Sequence, residues 1–355
     1  MTWRNRKLKT VFIGGMIGSA VGAGVGVVVG FALYGGLIRQ LYFSLLKGIL
    51  TGLILSVSVS ALEQIVFPFM LRRMNFLPTL LIKTFTYTLL AAAEFWGLSE
   101  LFGSVLPLRL QMKMVLPAVG ITLILCFIGT FIIGINRLLG KRVLLNFFSG
   151  RYHKPVEEER IFMFLDLTSS TAIAEQIGHV RFHRFLSDFF FDITDPILEH
   201  DGEIYKYVGD EVILVWRVRD KSRNAKCIRC YYAIMDRIGA EEKKYRKDYG
   251  RIPEFKAGLH CGTVVAGVIG DCKREIGFLG DVINTAARIQ AESKSKGRDI
   301  LISRGLLDIL DLPEGIRAES IGRVRLRGKE EEMELFGLAR ETKESGLKKR
   351  NIAEQ

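Results

Sequence analysis

Two carboxylates and one helix face carry the clearest chemistry in this sequence. Asp166 closes the apolar run Ile161–Leu165, and Asp210 sits in the turn of Lys206–Tyr207–Val208–Gly209–Asp210. A carboxylate at a strand end is held rigidly yet reaches solvent, which suits a Mg²⁺ ion that keeps several waters and is shared with substrate phosphates. Behind Asp166, the segment Leu167–Thr168–Ser169–Ser170–Thr171 leads into a helix, so its amides are placed to cradle a polyphosphate. Asn284 and Arg288 stand four apart and therefore neighbour one another on one helix face. Each signal alone is weak, because an Asp at a strand end is often only a turn residue; the combination is specific.

These residues need an alternating frame to hold them. The pattern predicts a strand over Ile161–Leu165, helices over Ala172–Ile177 and Val180–His200, and a hairpin of Glu203–Tyr207 and Val212–Trp216 around Gly209–Asp210. A long helix over Ser222–Tyr245 follows, then strands at Phe255–Cys261 and Val264–Ile269 and a helix from Asp281 to about Ser293. Further strands are expected at Ile300–Ile302, Ala318–Leu326 and Met333–Ala339. This mixed, mostly antiparallel order points to an α+β sandwich of the ferredoxin-like kind.

The front of the chain is a different polymer. Of 355 residues, 49% are hydrophobic and 25% charged, but residues 1–136 hold only 11 Lys/Arg and 3 Asp/Glu, and no Asp precedes Asp166. The rest holds 39 and 35, so the chain divides near residue 136 into a membrane part and a globular part. Four runs reach the ~20 apolar residues that a bilayer span requires: Val11–Ile38, about Leu45–Leu71, Leu77–Leu98 and Met114–Ile135. Arg4, Arg6, Lys7 and Lys9 before them and Arg137, Lys141, Arg142 and Arg151 after them mark both ends as cytoplasmic. The net charge of +12 thus reads as membrane orientation rather than nucleic acid binding.

Gly14, Gly18, Gly22, Gly26 and Gly30 repeat every four residues and line one helix face for close backbone approach, either within one bundle or as a dimer seam. Glu63 and Lys83 lie about ten residues to either side of the Arg72–Met74 turn, so antiparallel helices would set them at similar depth. An unpaired charge there is costly, which predicts a Glu63–Lys83 contact or a shared polar cavity. A structural pair is the simpler reading; a ligand-sensing role for the pair or for Glu94 is the other. Leu138, Leu139, Val143, Leu144, Phe147 and Phe148 recur at helical steps, so residues 137–156 read as a linker helix stopped by Gly150 and Pro155. It either pairs in a dimer and transmits a shift or lies against the bilayer. A globular domain over residues 157–340 and a charged tail over 341–355 complete the division.

The globular part resembles the class III nucleotidyl cyclases. The matching stretches are Phe162–Thr171 (FMFLDLTSST), Ile204–Glu211 (IYKYVGDE), Ala257–Gly270 (AGLHCGTVVAGVIG), Phe278–Arg288 (FLGDVINTAAR) and Val324–Lys329 (VRLRGK), in the family's order. The resemblance implies a head-to-tail homodimer with active sites at the interface and a reaction from ATP to cyclic AMP and pyrophosphate. In that pattern, Asp166 and Asp210 of one chain hold two Mg²⁺ or Mn²⁺ ions per site. Lys206 of the other chain reads the base, Asn284 orients the ribose, and Arg288 stabilises charge on the α-phosphoryl group. Lys329 is similar to the family's triphosphate lysine, and Arg298 to a second phosphate-contacting arginine. The expected object is an α-helical membrane bundle of four transmembrane helices followed by an α+β ferredoxin-like cyclase catalytic domain. Its partners would be ATP, a second copy of the chain and the lipid bilayer, with no nucleic acid, in an inner membrane.

One position departs from the family. Adenylate cyclases commonly place an Asp or Thr three residues before the glycine of the following turn, and here that position is Gly277. A backbone carbonyl, a water or a neighbour such as Glu275 would have to accept from the adenine amino group. Lys206 still favours ATP, since guanylate cyclases resemble one another in having Glu there. A guanylate cyclase, or a membrane receptor whose cyclase-like domain only binds nucleotide, are the alternatives. Cys227 and Cys230 have redox spacing but lie in a charged helix, and the structural reading is preferred. His179 and His183 lack the Glu of a zinc-hydrolase helix. Val208–Gly209–Asp210–Glu211 matches the GGDEF signature of diguanylate cyclases only in part.

Overall fold

The computed structural model describes residues 3–34, 38–71, 74–101, 120, 123–132, 134, 152–272 and 274–341. The chain forms two units, Met1–Lys141 and Arg142–Gln355.

In the first unit, α1 (Trp3–Tyr34) is followed by α2 (Ile38–Ala61), a π-helical turn at Leu62–Val66, the short α3 (Phe67–Met70), α4 (Phe76–Leu101) and the apolar helix α5 (Leu123–Ile132). Among the described residues, two stretches are long and apolar enough to cross a membrane, Tyr42–Val66 and Phe76–Glu94; Val11–Val25 and Leu123–Ile132 are shorter. The flanking charges Arg137, Lys141, Arg142 and Arg151, and the whole linker helix before Tyr152, lie outside the described residues.

At Gly14, Gly18 and Gly22 the stripe packs within the chain. A Cβ on Gly14 would stand 2.7 Å from the Ser60 hydroxyl, one on Gly18 would strike Gly52 and Ser56, and one on Gly22 would strike Gly48. Gly52 answers from α2, where a Cβ would lie 2.7 Å from the Gly18 carbonyl carbon. Backbones this close gain dispersion contact that lipid cannot supply. The expected Glu63–Lys83 contact is present: Lys83 Nζ donates to Glu63 Oε1 at 2.6 Å, and Tyr87 Oη donates to the same oxygen at 2.7 Å. The π-helical turn carries Glu63, and the Lys83 ammonium also sits 5.0 Å from the centroid of the Phe67 ring.

The second unit is built on a mixed sheet of eight strands. Strand β1 (Val156–Leu167) leads through α6 (Ser170–Ile177) and α7 (His179–Glu199) to the hairpin β2 (Glu203–Val208) and β3 (Glu211–Arg217). Helices α8 (Lys221–Asn224), α9 (Lys226–Ala240) and α10 (Glu242–Tyr249) return the chain to β4 (Phe255–Ile269), which turns into β5 (Glu275–Leu279). Then come α11 (Asp281–Ser295), β6 (Ile300–Ser303), α12 (Arg304–Asp308), β7 (Ile316–Arg325) and β8 (Glu332–Arg340). The strand order is β2-β3-β1-β4-β6-β8-β7, with β5 paired to β4 alone and only β4–β6 parallel. Its first four strands, with the helices between them, form the βαββαβ arrangement of the ferredoxin-like fold.

Both faces of β1 are covered, which is why its sequence reads as a continuous apolar run. Ile161, Met163, Leu165 and Leu167 enter the larger core with Phe185, Phe189, Ile193 and Ile234. Phe162 and Phe164 enter a smaller one with Ile213, Val264, Val282 and Ala286. Asp166 is the next residue on that second face.

Two expectations are corrected. The helix expected over Ser222–Tyr245 is three helices, because the buried Asn224 spends its side chain elsewhere. Its Nδ2 donates to the Arg219 carbonyl at 3.0 Å and the Ile309 carbonyl at 2.8 Å. A second break at Glu241 turns α10 so that Tyr245 and Tyr249 donate to the buried Asp192 and Asp188, each at 2.7 Å. The strands expected at Phe255–Cys261 and Val264–Ile269 are one strand that pairs with β1 from Val156 to Leu167. The glycines there make room rather than turns. A Cβ on Gly258 would lie 2.7 Å from the Ile289 carbonyl carbon, and one on Gly262 would lie 2.8 Å from Val282 Cγ2, so α11 packs directly on the strand.

Candidate functional site

Register brings the carboxylates together. Asp166 at the end of β1 pairs with Glu211 of β3, and Asp210 precedes Glu211 in the two-residue hairpin turn. Gly209 takes φ +63° at the first turn position, a conformation glycine adopts without strain. Three acids thus share one end of the sheet. Burial pushes the Asp166 carboxyl above its ordinary range; Lys294 pulls it down and the charge of Asp210 pushes it further up. Glu211 is pushed up to about 7, first by burial, then by the charges of Asp166 and Asp210.

Helix α11 supplies the compensating donors. Gln290 Nε2 donates to Asp166 Oδ2 at 3.3 Å, and the Lys294 ammonium forms an ion pair with the same oxygen. Sequence reasoning missed Glu211, Gln290 and Lys294. Gln290 and Lys294 repeat the four-residue spacing of Asn284 and Arg288, but only the fold shows that β1 ends beneath them.

The predicted Asn284 and Arg288 lie elsewhere on the same helix. At about 100° per residue, Arg288 and Gln290 point to nearly opposite sides. Asn284 is exposed, and Arg288 leans over the backbone of Gly328, where a Cβ would lie 3.5 Å from Arg288 Nη2. Lys329 follows Gly328 and forms an ion pair with Asp281, the first residue of α11. That bond holds the Asp281 carboxyl below the usual carboxylate range. His260, also on this face of β4, meets Ser303 Oγ at 2.7 Å through Nδ1; burial and the nearby Lys329 lower it to about 4, against the opposing charge of Asp281.

The remaining candidates separate. The Thr168 amide is taken by the Glu254 carbonyl at 2.8 Å, while Ser169 adopts φ +58° and opens α6, whose first turn begins at Ser170 with Thr171. Lys206 Nζ donates to Glu275 Oε1 at 2.8 Å, an ion pair that raises the lysine pKa. Gly277 pairs with Gly267, and a Cβ there would lie 2.6 Å from Ile269 Cδ1. Arg298 is bound to Glu319 of β7 at 2.9 Å. Cys227 and Cys230 are buried in the core, as a structural role requires.

The donor set suits hard cations. Among the described residues, no group of three or more His, Cys, Asp or Glu forms a preformed metal cage. Magnesium, however, commonly takes one or two carboxylates and completes its shell with water and substrate phosphate. Asp166 and Asp210, rigid at a sheet end beside a helix start, match that chemistry.

Residues 152–339 match the adenylate and guanylate cyclase catalytic domain. The chain belongs to this family. It is 39% identical over 208 residues to "Adenylate cyclase 2" of Rhizobium meliloti (strain 1021), covering 59% of this chain and 57% of that protein. To "Adenylate cyclase" of Anabaena cylindrica it is 27% identical over 178 residues, covering 49% of this chain and 35% of the relative. The chain therefore spans little more than half of the first relative and about a third of the second. A bacterial light-regulated adenylyl cyclase shares the fold, with a TM-score of 0.53 at 18% identity over 66% of this chain and 68% of that one.

Proposed function

We propose that the protein is a membrane-anchored adenylate cyclase that converts ATP to 3′,5′-cyclic AMP and pyrophosphate at sites shared between two copies of the chain. The observation that carries this reading is the division of labour on α11. Its Gln290 and Lys294 bond to the carboxylate Asp166, whereas Arg288 projects from nearly the opposite side of the helix to Gln290, toward Gly328, and Asn284 is exposed. With its own Arg288 turned to the other side of α11, the Asp166 half of one site is completed by the Arg288 of a partner in head-to-tail arrangement.

Two Mg²⁺ or Mn²⁺ ions held by Asp166 and Asp210 would supply Lewis-acid activation of the ribose 3′-hydroxyl and neutralise phosphate charge. The amides from Ser169 to Thr171 face the polyphosphate from the same half. From the partner, Asn284 orients the ribose, and the planar Arg288 guanidinium stabilises charge on the α-phosphoryl group as the 3′-oxygen bonds to phosphorus and pyrophosphate leaves. Lys329 binds the triphosphate, with Asp281 holding its ammonium in place. Lys206 and Glu275 present a donor and an acceptor side by side, complementary to N1 and the 6-amino group of adenine. Glu275 thereby takes the role that Gly277, crowded by Ile269, cannot fill. Arg298, bound to Glu319, is a weaker candidate for phosphate contact.

In the first unit, two helices pass the length test, and the apolar runs around Val11–Val25 and Leu123–Ile132 support the four-span reading. With four spans, both the N-terminus and the catalytic domain lie on the cytoplasmic side of the inner membrane. The deciding assay gives purified full chain either ATP or GTP with Mg²⁺ or Mn²⁺. Cyclic AMP from ATP is expected; cyclic GMP alone would make the protein a guanylate cyclase, and nucleotide binding without product would leave a receptor domain.

A further inference from the structure

We propose that Lys294 is a built-in counter-cation for Asp166, occupying the side of the carboxylate that a divalent ion takes and swinging away when the ion arrives. The proposal rests on reading Asp166 as a metal ligand, and it assigns a positioning role to a residue outside every matching motif.

The argument begins with the cost of bare charge. Asp166 is 8% exposed and stands at one sheet end with Asp210 and Glu211. Like charges gathered at low solvent exposure destabilise the fold unless a cation meets them. Lys256, the register partner of Asp166 on β4, does not bond to it; its ammonium turns to the Ser293 carbonyl at 3.4 Å. The cation on Asp166 comes instead from the last turn of α11, 128 positions along the chain.

Lys294 and Gln290 meet the same atom, Oδ2, from successive turns. The amide is buried and fixed, so it holds the carboxylate rotamer. The Lys294 side chain is 49% exposed on a flexible four-carbon stem, so its ammonium can leave into water without moving α11. An ammonium and a divalent ion cannot share one oxygen lone pair. Lys294 therefore stabilises the metal-free fold and scales the apparent metal affinity by the fraction of time the carboxylate is free of it.

The test is Mn²⁺ binding to the full chain in detergent, read from the electron paramagnetic resonance signal of free Mn²⁺ and from thermal unfolding with and without metal. Lys294→Met and Lys294→Gln are expected to tighten Mn²⁺ binding about 3- to 30-fold and to lower the metal-free unfolding temperature. Lys294→Arg, which keeps charge and reach, is expected to stay near wild type. Lys256→Met controls for the field, since it removes the same charge without removing a bond to Asp166. Equal shifts in Lys256→Met and Lys294→Met, or weaker binding in Lys294→Met, would overturn the proposal. Asp166→Asn separates the two levels: undiminished Mn²⁺ binding there would overturn the metal assignment and the counter-cation role with it.

Discussion

If each active site is assembled from two copies, damage to different halves must complement. Asp166→Asn removes a metal ligand from one half-site, and Arg288→Ala removes the α-phosphoryl contact from the other. The separation of the halves follows from α11. Asn284 and Lys294 are ten residues apart, about 15 Å along the axis, and Arg288 projects away from the face that meets Asp166. In a mixed dimer, one site contains both lesions and the other contains none. Random pairing of equal amounts gives about half mixed dimers, each with one of two sites intact, so the mixture should recover about a quarter of wild-type activity. Loss of a transition-state donor typically costs about 10²- to 10³-fold, so the parents should lie well below that level. The assay is cyclic AMP formation after co-expression with two different tags and tandem purification, which raises the expectation to about half of wild type per dimer. Asp166→Asn with Asp210→Asn supplies the control, because both lesions fall in the same half and both sites of the mixed dimer are broken. Mixed dimers of Asp166→Asn and Arg288→Ala with no more activity than their parents would refute the shared-site reasoning.

Three further outcomes follow from the geometry. Gly258→Ala drives a methyl into the α11 backbone at Ile289–Gln290, a clash that side-chain rotation cannot relieve; it should cost about 1–3 kcal/mol in the unfolding of the second unit and weaken Mn²⁺ binding, measured on the same sample. Glu275→Ala should erase discrimination between ATP and its analogue lacking the 6-amino group, with kcat/KM for ATP falling about 10- to 100-fold; retained discrimination would assign the amino contact elsewhere. His260 is held neutral, with a pKa of about 4 against an ordinary 6.5. Between those values the unfolded chain binds a proton that the folded chain does not, so stability falls as pH falls, by about 2 kcal/mol from pH 7 to pH 5. His260→Asn should flatten that slope in urea unfolding, and an unchanged slope would show that other groups set it.

Strand β1, the turn at Gly209–Asp210 and the Asn284/Arg288 face were legible because each is local: an apolar run, a glycine before an acid, and a spacing of four. The Glu63–Lys83 pair was legible for a related reason, since helical rise fixes depth and a buried charge needs a partner. What the local pattern misassigned was the meaning of glycine in Ala257–Gly270. A turn and a close helix crossing ask for the same missing Cβ, and only the packing of α11 tells them apart. The break at Asn224 and the donors Gln290 and Lys294 were hidden for the corresponding reason, because their partners lie 85, 124 and 128 positions away. Helix α11 therefore bears two spacing-four pairs, of which only the one ending in arginine resembled a phosphate site. Since the other pair grips Asp166, and Gly258 and Gly262 let the helix lie directly on the strand, one helix seated on one strand positions residues of both half-sites. The geometry of each active site then depends on a glycine contact that touches neither metal nor substrate.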